Sequence, residues 1–309
     1  MLDQETMTTF ITVAQCQSFS QAAKQLHKST ATISYRIKIL EEYVGVQLFT
    51  RTTRTVNLTA AGEYLLEHCR QWHHWLSTMP NQLRLVNEGV EQEITIAINN
   101  LLYDSDVVSN LLLHLSERYP FTRINITRQV YMGVWDSLLS GKSDIAIGVP
   151  GSESLDSGVN TLFLGKIDWV FAVAKHHPLA ALDGTLNDEQ LRAYPTINVE
   201  DTSQTLSKRT AWLLSGQREI KVPDMRTKIL CHLKGVGIGF LPASTCKPYI
   251  QSQQLIEKNI KRPRRPSPLS LAWNSTQQGE VLKTIIKLFK LQDPMIHQLL
   301  EPLNQTSNH

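Results

Sequence analysis

Residues 18–58 read SFSQAAKQLHKSTATISYRIKILEEYVGVQLFTRTTRTVNL, and no other stretch of the chain constrains the fold as tightly. Ile33, Ile37, Leu40 and Val44 recur at spacings of four, three and four. They share one face of an α-helix, and that face must be buried. Ala31, Tyr35 and Lys38 lie opposite, Thr32 and Ser34 flank them, and Ser29 or Thr30 stands where an N-cap belongs. An outward face that is small and hydroxyl-bearing at its start can approach base edges and donate to phosphate. Phe19, Ala22, Ala23 and Leu26 form the stripe of a preceding helix with Ser18 or Ser20 as its cap. The break at His27-Lys28-Ser29 is short, as a helix-turn-helix requires. An earlier stripe of Met7, Phe10, Ile11 and Ala14 completes a three-helix core.

Next comes LFTRTTRTVNLT, in which Thr, Val and Leu favour strands and Arg51 and Arg54 sit at the bend, so the stretch reads as a wing. Lys24, Lys28, Arg36, Lys38, Arg51 and Arg54 stand against Glu41 and Glu42, a local charge of +4 in a chain whose total is +3. A local cationic excess is the footprint of a nucleic-acid contact. Periodicity and charge alone fit two readings, a DNA reader and a helical hairpin with a solvated basic face; the wing favours the first. On that reading the DNA-facing residues are Ser29, Thr30, Thr32, Ser34, Tyr35, Arg36, Lys38, Arg51 and Arg54.

A long helix is expected after Thr59, a natural N-cap. Leu65, Cys69, Trp72, Leu76, Met79, Leu83 and Val86 alternate spacings of four and three, which is an a/d heptad seam. Such a seam asks for a partner helix, and Leu65, Trp72, Leu76, Met79 and Leu83 are the dimerisation candidates; a helix packed on its own domain is the alternative. Pro80 is expected to kink or break this helix, because its ring lacks the N–H and crowds the preceding turn.

From about residue 92 the pattern changes to strands alternating with helices, which predicts a largely parallel α/β sheet. Strand-like stretches are EITIAI (93–98), 124–127, SDIAIGV (143–149), WVFAVA (169–174), TINVED (196–201), GVGIGFLP (235–242) and LSLAW (269–273). Helices are expected at 104–119, 135–139, roughly 224–234 and after 273. Small-molecule sites in such sheets lie at strand C-termini, where helix N-termini point in. That rule selects Asn99, Asn100, Arg128, Gln129, Gly148, Thr202 and Ser203, with Tyr131, Val149 and Asp201 beside them. Asn and hydroxyl groups suit a small polar or anionic ligand; Arg128 fits a carboxylate contact and a surface ion pair equally. Trp135 is expected in the core, and KRPRRPSP (261–268) as an exposed connection.

A chain of 309 residues with 41% hydrophobic content has room for more than one core. It has no apolar run long enough for a membrane span and no signal-peptide pattern, so a cytoplasmic protein is expected. Cys16, Cys69, Cys231 and Cys246 lack metal or redox spacing and are expected as reduced packing residues. GVGIG at 235–239 lacks the strand-then-helix setting of a dinucleotide loop. His73-His74, on the expected linker helix, and His176-His177 are expected as solvated histidines. With no G-x-S-x-G, P-loop or H-E-x-x-H either, no catalytic residue, metal or cofactor is expected. The competitor to a DNA-binding regulator is a solute-binding protein without DNA activity.

The first sixty residues resemble the N-terminal domain of LysR-type transcriptional regulators. The matching residues are Phe10, Val13 and Ala14, then SFSQAAKQLHKS, ATISYRIKILEEYVGVQLFTRTTR, and LTAAG at 58–62. Where the family usually has Gln-Pro, this chain has Thr30-Ala31, a departure at the base-reading end. The resemblance implies a winged helix-turn-helix at 1–58 and a dimerising linker helix at 59–91. It further implies an effector domain at 92–309 with two α/β lobes like those of periplasmic binding proteins (lobe I 92–164 and 268–303, lobe II 165–267). It implies promoter DNA, a small-molecule effector held between the lobes, RNA polymerase and further copies of the chain, as homodimer or homotetramer, as partners, and no membrane. Within the family, TATISYRIK, INNLLY, ERYPF, YMGVWDSLL, VPDM and PSPLSLAW are similar to activators of allantoin-utilisation genes. The alternative is a regulator of another purine- or nitrogen-related operon.

Overall fold

The structure is a computed structural model that describes residues 3–51, 56–151, 154, 156 and 158–303. The chain divides into two compact units, Met1–Glu88 and Gly89–His309.

The first unit runs α1 (Gln4–Cys16), α2 (Phe19–Gln25), α3 (Thr30–Val44), β1 (Phe49–Arg51), β2 (Val56–Leu58) and α4 (Ala60–Asn87). Its core gathers the three predicted stripes: Phe10, Val13, Ala22, Ala23, Ile33, Ile37 and Leu40 are buried together with Leu48 and Phe49. The wing is plugged into that core by the Phe49 ring, 5.3 Å from Phe10 and 5.9 Å from Phe19. Glu41 ties α3 to the wing, its carboxylate accepting the N–H groups of Leu48 (2.8 Å) and Phe49 (3.1 Å). Both ends of α3 are chemically marked. Ser29 is the N-cap and accepts from Thr32 N–H at 3.1 Å, and Gly45 ends the helix with φ +74°, a left-handed conformation that glycine adopts without strain.

Of the kink or break expected at Pro80, the break does not occur: α4 is continuous from Ala60 to Asn87. The proline removes one backbone donor, and in the turn before it the Ser77 and Thr78 hydroxyls donate to the carbonyls of His74 and Trp75. Twenty residues of helix precede it and seven follow it, so the loss stays local.

The second unit opens with β3 (Glu93–Asn99), α5 (Ser105–Arg118), β4 (Arg123–Gln129), α6 (Met132–Leu139), β5 (Ile145–Pro150) and β6 (Val159–Ile167). It continues with β7 (Trp169–Ala174), α7 (Asp188–Arg192), β8 (Thr196–Val199), β9 (Glu219–Val222), α8 (Met225–Leu233), β10 (Phe240–Pro242), α9 (Ala243–Gln251) and β11 (Leu255–Glu257). It ends with β12 (Ser267–Asn274), α10 (Glu280–Lys290) and α11 (His297–Leu300).

One lobe is a five-stranded sheet of order β4-β3-β5-β12-β6; the other holds a three-stranded sheet β10-β7-β11 and the pair β8-β9. The first sheet ends at Ile167 and resumes at Ser267. A largely parallel sheet is corrected to a mixed one. In the first sheet β3, β4 and β5 run parallel while β12 is antiparallel to both β5 and β6; in the other lobe β8 and β9 run parallel, and β7 is antiparallel to both its neighbours. The physical reason is the path: β12 re-enters the first lobe from the second and meets the sheet head-on. β6 lies where no element was expected, and GVGIGFLP yields only the short β10, because Gly235 (φ +69°) and Gly239 (φ +151°) bend the run. Trp135 is in the core, its indole N–H donating to the Pro150 carbonyl at 2.9 Å. All four cysteines are free thiols. Among the described residues no helix is long and apolar enough to cross a membrane.

Candidate DNA interface and ligand cleft

On α3 the core-facing residues fix which side chains look outward. Thr30, Ala31, Thr32, Tyr35 and Lys38 are exposed and Ser34 is half-buried on the flank. Tyr35, two-thirds exposed at 66%, is the one large side chain on this face near the helix start. Ser29 and Thr32 hydroxyls bond each other at 2.8 Å, so the cap also orients a hydroxyl on the first turn. Lys38 lies 3.6 Å from Glu42 one turn on. Arg36 departs from the expected face. Its guanidinium turns back to α1, 2.8 Å from Glu5 and 3.6 Å from Asp3, and donates to the Thr6 hydroxyl. The Thr6 backbone N–H, which Asp3 caps, is the main influence holding the Asp3 carboxyl below the usual range; Arg36 adds to it. Lys28 also pairs with Glu5. Arg36 and Lys28 therefore fasten the helices to each other. Arg51 lies in β1, opposite Val56, and Arg54 lies outside the described residues.

The heptad seam of α4 splits in two. Leu65 packs, and Cys69 is buried, against the core of its own unit. Leu65 is half-buried there, and the later part of the seam is more exposed. Trp72 (49%), Leu76 (38%), Leu83 (62%) and Val86 are exposed, Met79 is half-buried, and Trp75, which the seam does not include, is 53% exposed. Gln71, Trp72, Trp75 and Leu76 line a shallow hollow on this helix. A contiguous apolar stripe of this kind marks an interaction surface.

In the second unit the strand-end residues fall into separate groups. Asn99 is buried and spans two strand ends, donating to the Gly148 carbonyl (2.7 Å) and accepting from Leu101 N–H (3.0 Å). A Cβ on Gly148 would sit 2.8 Å from Asn99 Cβ, so this pair locks the sheet edge and neither faces open space. Asn100 and Arg128 line a cavity of about 780 Å³ with Tyr103, Arg226 and Tyr249, between the N-terminal turns of α5, α8 and α9. Arg128 lies over the Tyr103 ring at 5.4 Å and is 3.6 Å from Asp224. Burial raises the Asp224 carboxyl, yet the Thr227 N–H bond and then Arg128 outweigh it and hold it below its ordinary value.

Gln129, Thr202 and Ser203 lie instead where the lobes touch. Thr202 Oγ1 accepts from Val130 N–H (2.9 Å) and donates to Gln129 Oε1 (2.7 Å); Ser203 is buried. Two residues outside the strand-end set share this contact. Asp136, the one charged residue of the mostly apolar α6, is one, and that contrast is its sequence signal. Arg264 is the other, and it corrects the picture of an exposed connection. Its guanidinium stacks on Trp169 at 3.5 Å and reaches the Tyr131 hydroxyl, while Lys261, Arg262, Pro263, Arg265 and Pro266 remain exposed.

The arrangement has close counterparts. Residues 5–63 match the model of the bacterial regulatory helix-turn-helix protein, lysR family, and residues 87–292 match that of the LysR substrate binding domain. The HTH-type transcriptional activator AllS of Salmonella paratyphi A is 51% identical over 304 residues, covering 98% of this chain and 99% of that one. The protein of the same name in Klebsiella pneumoniae is 51% identical over 261 residues, 84% and 97% of the two chains. The HTH-type transcriptional regulator PunR of Escherichia coli K12 is 30% identical over 275 residues, 89% and 88%. Among solved structures, a C206 mutant of OxyR from Corynebacterium glutamicum has TM-score 0.59 at 19% identity, covering 96% of this chain and 94% of that one.

Proposed function

Because this chain belongs to the LysR family and is a DNA-binding transcriptional regulator, not an enzyme, we propose that it activates genes for the use of allantoin, a purine-derived nitrogen source, on sensing a small metabolite. The observation that carries the DNA half is the exposed α3 face of Thr30, Thr32, Tyr35 and Lys38 on a helix capped by Ser29 and braced by the wing. Thr30-Ala31 lies on the first turn of that face, so base preference here follows this chain's own side chains. Arg51 and Arg54 on the wing contact phosphate. The uncovered stripe of α4 pairs two copies, as homodimer or within a homotetramer, and a two-fold protein reads a partly palindromic site. RNA polymerase is the partner that activation requires.

The signal enters the Gly89–His309 unit. The cavity beside Asn100, Tyr103 and Arg128 is polar and walled by both lobes, which suits a small molecule rich in amide and carboxylate groups. The relatives named AllS at 51% identity across nearly the whole chain support an activator, and the relative named PunR supports the broader class.

Genome-wide mapping of the DNA sites that the full chain occupies tests this reading. Sites beside allantoin-catabolic genes are the expected result, and their absence there removes the operon assignment. Two variants test the parts. Arg54→Ala lowers affinity for every DNA sequence alike and reduces the salt slope by about one unit for the lost phosphate contact; an unchanged slope removes the wing from the interface. Leu76→Glu places a carboxylate in the α4 stripe and shifts sedimentation toward the monomer; an intact oligomer excludes this stripe as the pairing surface.

A further inference from the structure

The two lobes of the Gly89–His309 unit exchange carboxylates. Asp136 sits on α6 of the first lobe. It accepts the backbone N–H groups of Gln204 and Thr205 and the hydroxyls of Thr205 and Ser203, all in the loop that follows β8 in the second lobe. Asp201, at the start of that loop, returns the contact. It accepts Met132 N–H (3.2 Å) and Gly133 N–H (3.1 Å) in the first turn of α6, and Ser203 N–H (2.9 Å) and Arg209 N–H (2.8 Å) in its own loop. Both side chains are almost wholly buried, at 4% and 3% exposure. The Thr205 hydroxyl, opposed by burial and helped by the Gln204 and Thr205 N–H groups, brings the Asp136 carboxyl down to about 2.

The free N–H groups of a helix's first turn carry partial positive charge and attract anions. On α6 that position is filled from the opposite lobe by Asp201. Backbone geometry at the same point demands closeness. A Cβ on Gly133 would fall 1.9 Å from Thr202 Oγ1 and 2.9 Å from the Thr202 carbonyl carbon, so the lobes meet only because residue 133 is glycine. Tyr131, immediately before α6, holds φ +48° with ψ −120° and bonds the Arg264 side chain on the segment that leads back to the first lobe. Strain of this kind persists only where surrounding structure imposes it.

We propose that Asp136 and Asp201 form a reciprocal latch that holds the two lobes closed from within, Asp201 serving as an internal anion on the α6 N-terminus, and that the signal molecule acts on the regulator by working against this latch. The second clause rests on the Gly89–His309 unit being the effector unit; the first does not. Each carboxylate belongs to one lobe and accepts hydrogen bonds from donors of the other. Neither can leave without stranding N–H groups across the contact. The two halves therefore stand or open together.

Amide hydrogen exchange on the full chain tests this. In Asp136→Asn and in Asp201→Asn alike, the amides of Met132, Gly133, Gln204 and Thr205 should all exchange roughly tenfold faster or more, while those of Ile96 and Ile147 in the sheet core stay protected. If each variant frees only the amides that its own carboxylate holds, the two are separate caps and the latch is overturned. Should a carboxamide variant expose Ile96 and Ile147 as well, Gly133→Ala reads the same point. Alanine suits a helix better than glycine, so α6 persists while closure is blocked. Gln204 and Thr205 amides should then exchange faster, and their continued protection overturns the proposal. Transcription from a mapped promoter separates the clauses. Faster exchange with unchanged transcription supports the latch and removes its link to the signal; changed transcription with unchanged exchange overturns the latch and leaves the effector reading standing.

Discussion

Replacing Lys228 by methionine should stabilise the Gly89–His309 unit by several kcal/mol at neutral pH, seen as a higher melting temperature. Lys228 lies on the inner face of α8 at 1% exposure. Its Nζ is 3.6 Å from where a Gly239 Cβ would stand, in the core beneath α8, with His232 one helical turn away. Burial, and then Arg264, bring its amine down to about 7. His232 is lowered to about 3, again by burial first and by Lys228 next, and the Cys246 thiol is pushed up to about 12. All three residues are thus more easily buried neutral than charged. An amine titrating near 7 in the fold and near 10.5 in the unfolded chain costs on the order of 5 kcal/mol below pH 7. The sign follows from proton counts. Between about pH 7 and 10.5 the unfolded chain binds the extra proton, so the native protein gains stability as pH rises through that window. The methionine variant should therefore lead by most at pH 7 and below, with its lead fading toward pH 10. A lead that is flat across that range would show that packing, and not the amine, sets the difference.

The helices of the first unit were legible because each carries its own evidence: an apolar stripe at helical spacing, a capping Ser29 or Thr59, a terminating Gly45. What lies across long sequence separations was not. Arg36 reads as a groove-facing cation until Glu5 and Asp3 are seen beside it, some thirty residues away in the chain. The α4 seam reads as uniform because periodicity reports which residues share a face, not which core covers each turn; Leu65 is partly covered from within and Leu83 is exposed. In the second unit the strand-end rule picked out several loops but could not rank them. Asn99 is consumed by Gly148, and Thr202 by Val130 and Gln129, while Arg128 is left on a cavity wall. Asp136 and Asp201 face each other's loops only after β8 of one lobe meets α6 of the other. The mixed sheet escaped for the same reason: β12 returns to the first lobe after a hundred residues, and alternation of local elements carries no record of that direction.

Gly62→Val should abolish specific DNA binding while leaving the Gly89–His309 unit folded. Gly62 is buried in the first turn of α4, where its N–H donates to the Thr59 hydroxyl at 3.0 Å. Thr59 in turn donates its hydroxyl to the Gln47 carbonyl and its N–H to the Leu48 carbonyl. The linker helix is thereby welded to the base of the wing through backbone groups. A Cβ on residue 62 would stand 2.1 Å from the Leu48 carbonyl oxygen and 2.9 Å from Leu58 Cδ2. Leu58 can turn aside, but the Leu48 carbonyl is fixed, since Leu48 N–H is held by Glu41 and the neighbouring Phe49 ring by Phe10. The clash is relieved only by moving α4 off the wing or the wing off α3. Overpacking against backbone falls at or beyond the upper end of the roughly 1–3 kcal/mol usual for core insertions. Alanine at the same position meets the same carbonyl, so Gly62→Ala should fail in the same way with a smaller loss, an order that separates steric displacement from a change in helix propensity, which would favour alanine by about 1 kcal/mol. Calorimetry should show the transition of the N-terminal unit lowered or missing and the second transition in place. DNA retention should drop by more than about tenfold, the factor that 1.4 kcal/mol represents. Native-like affinity in Gly62→Val would mean that the wing and α4 move independently, and that α3 is not aimed by α4.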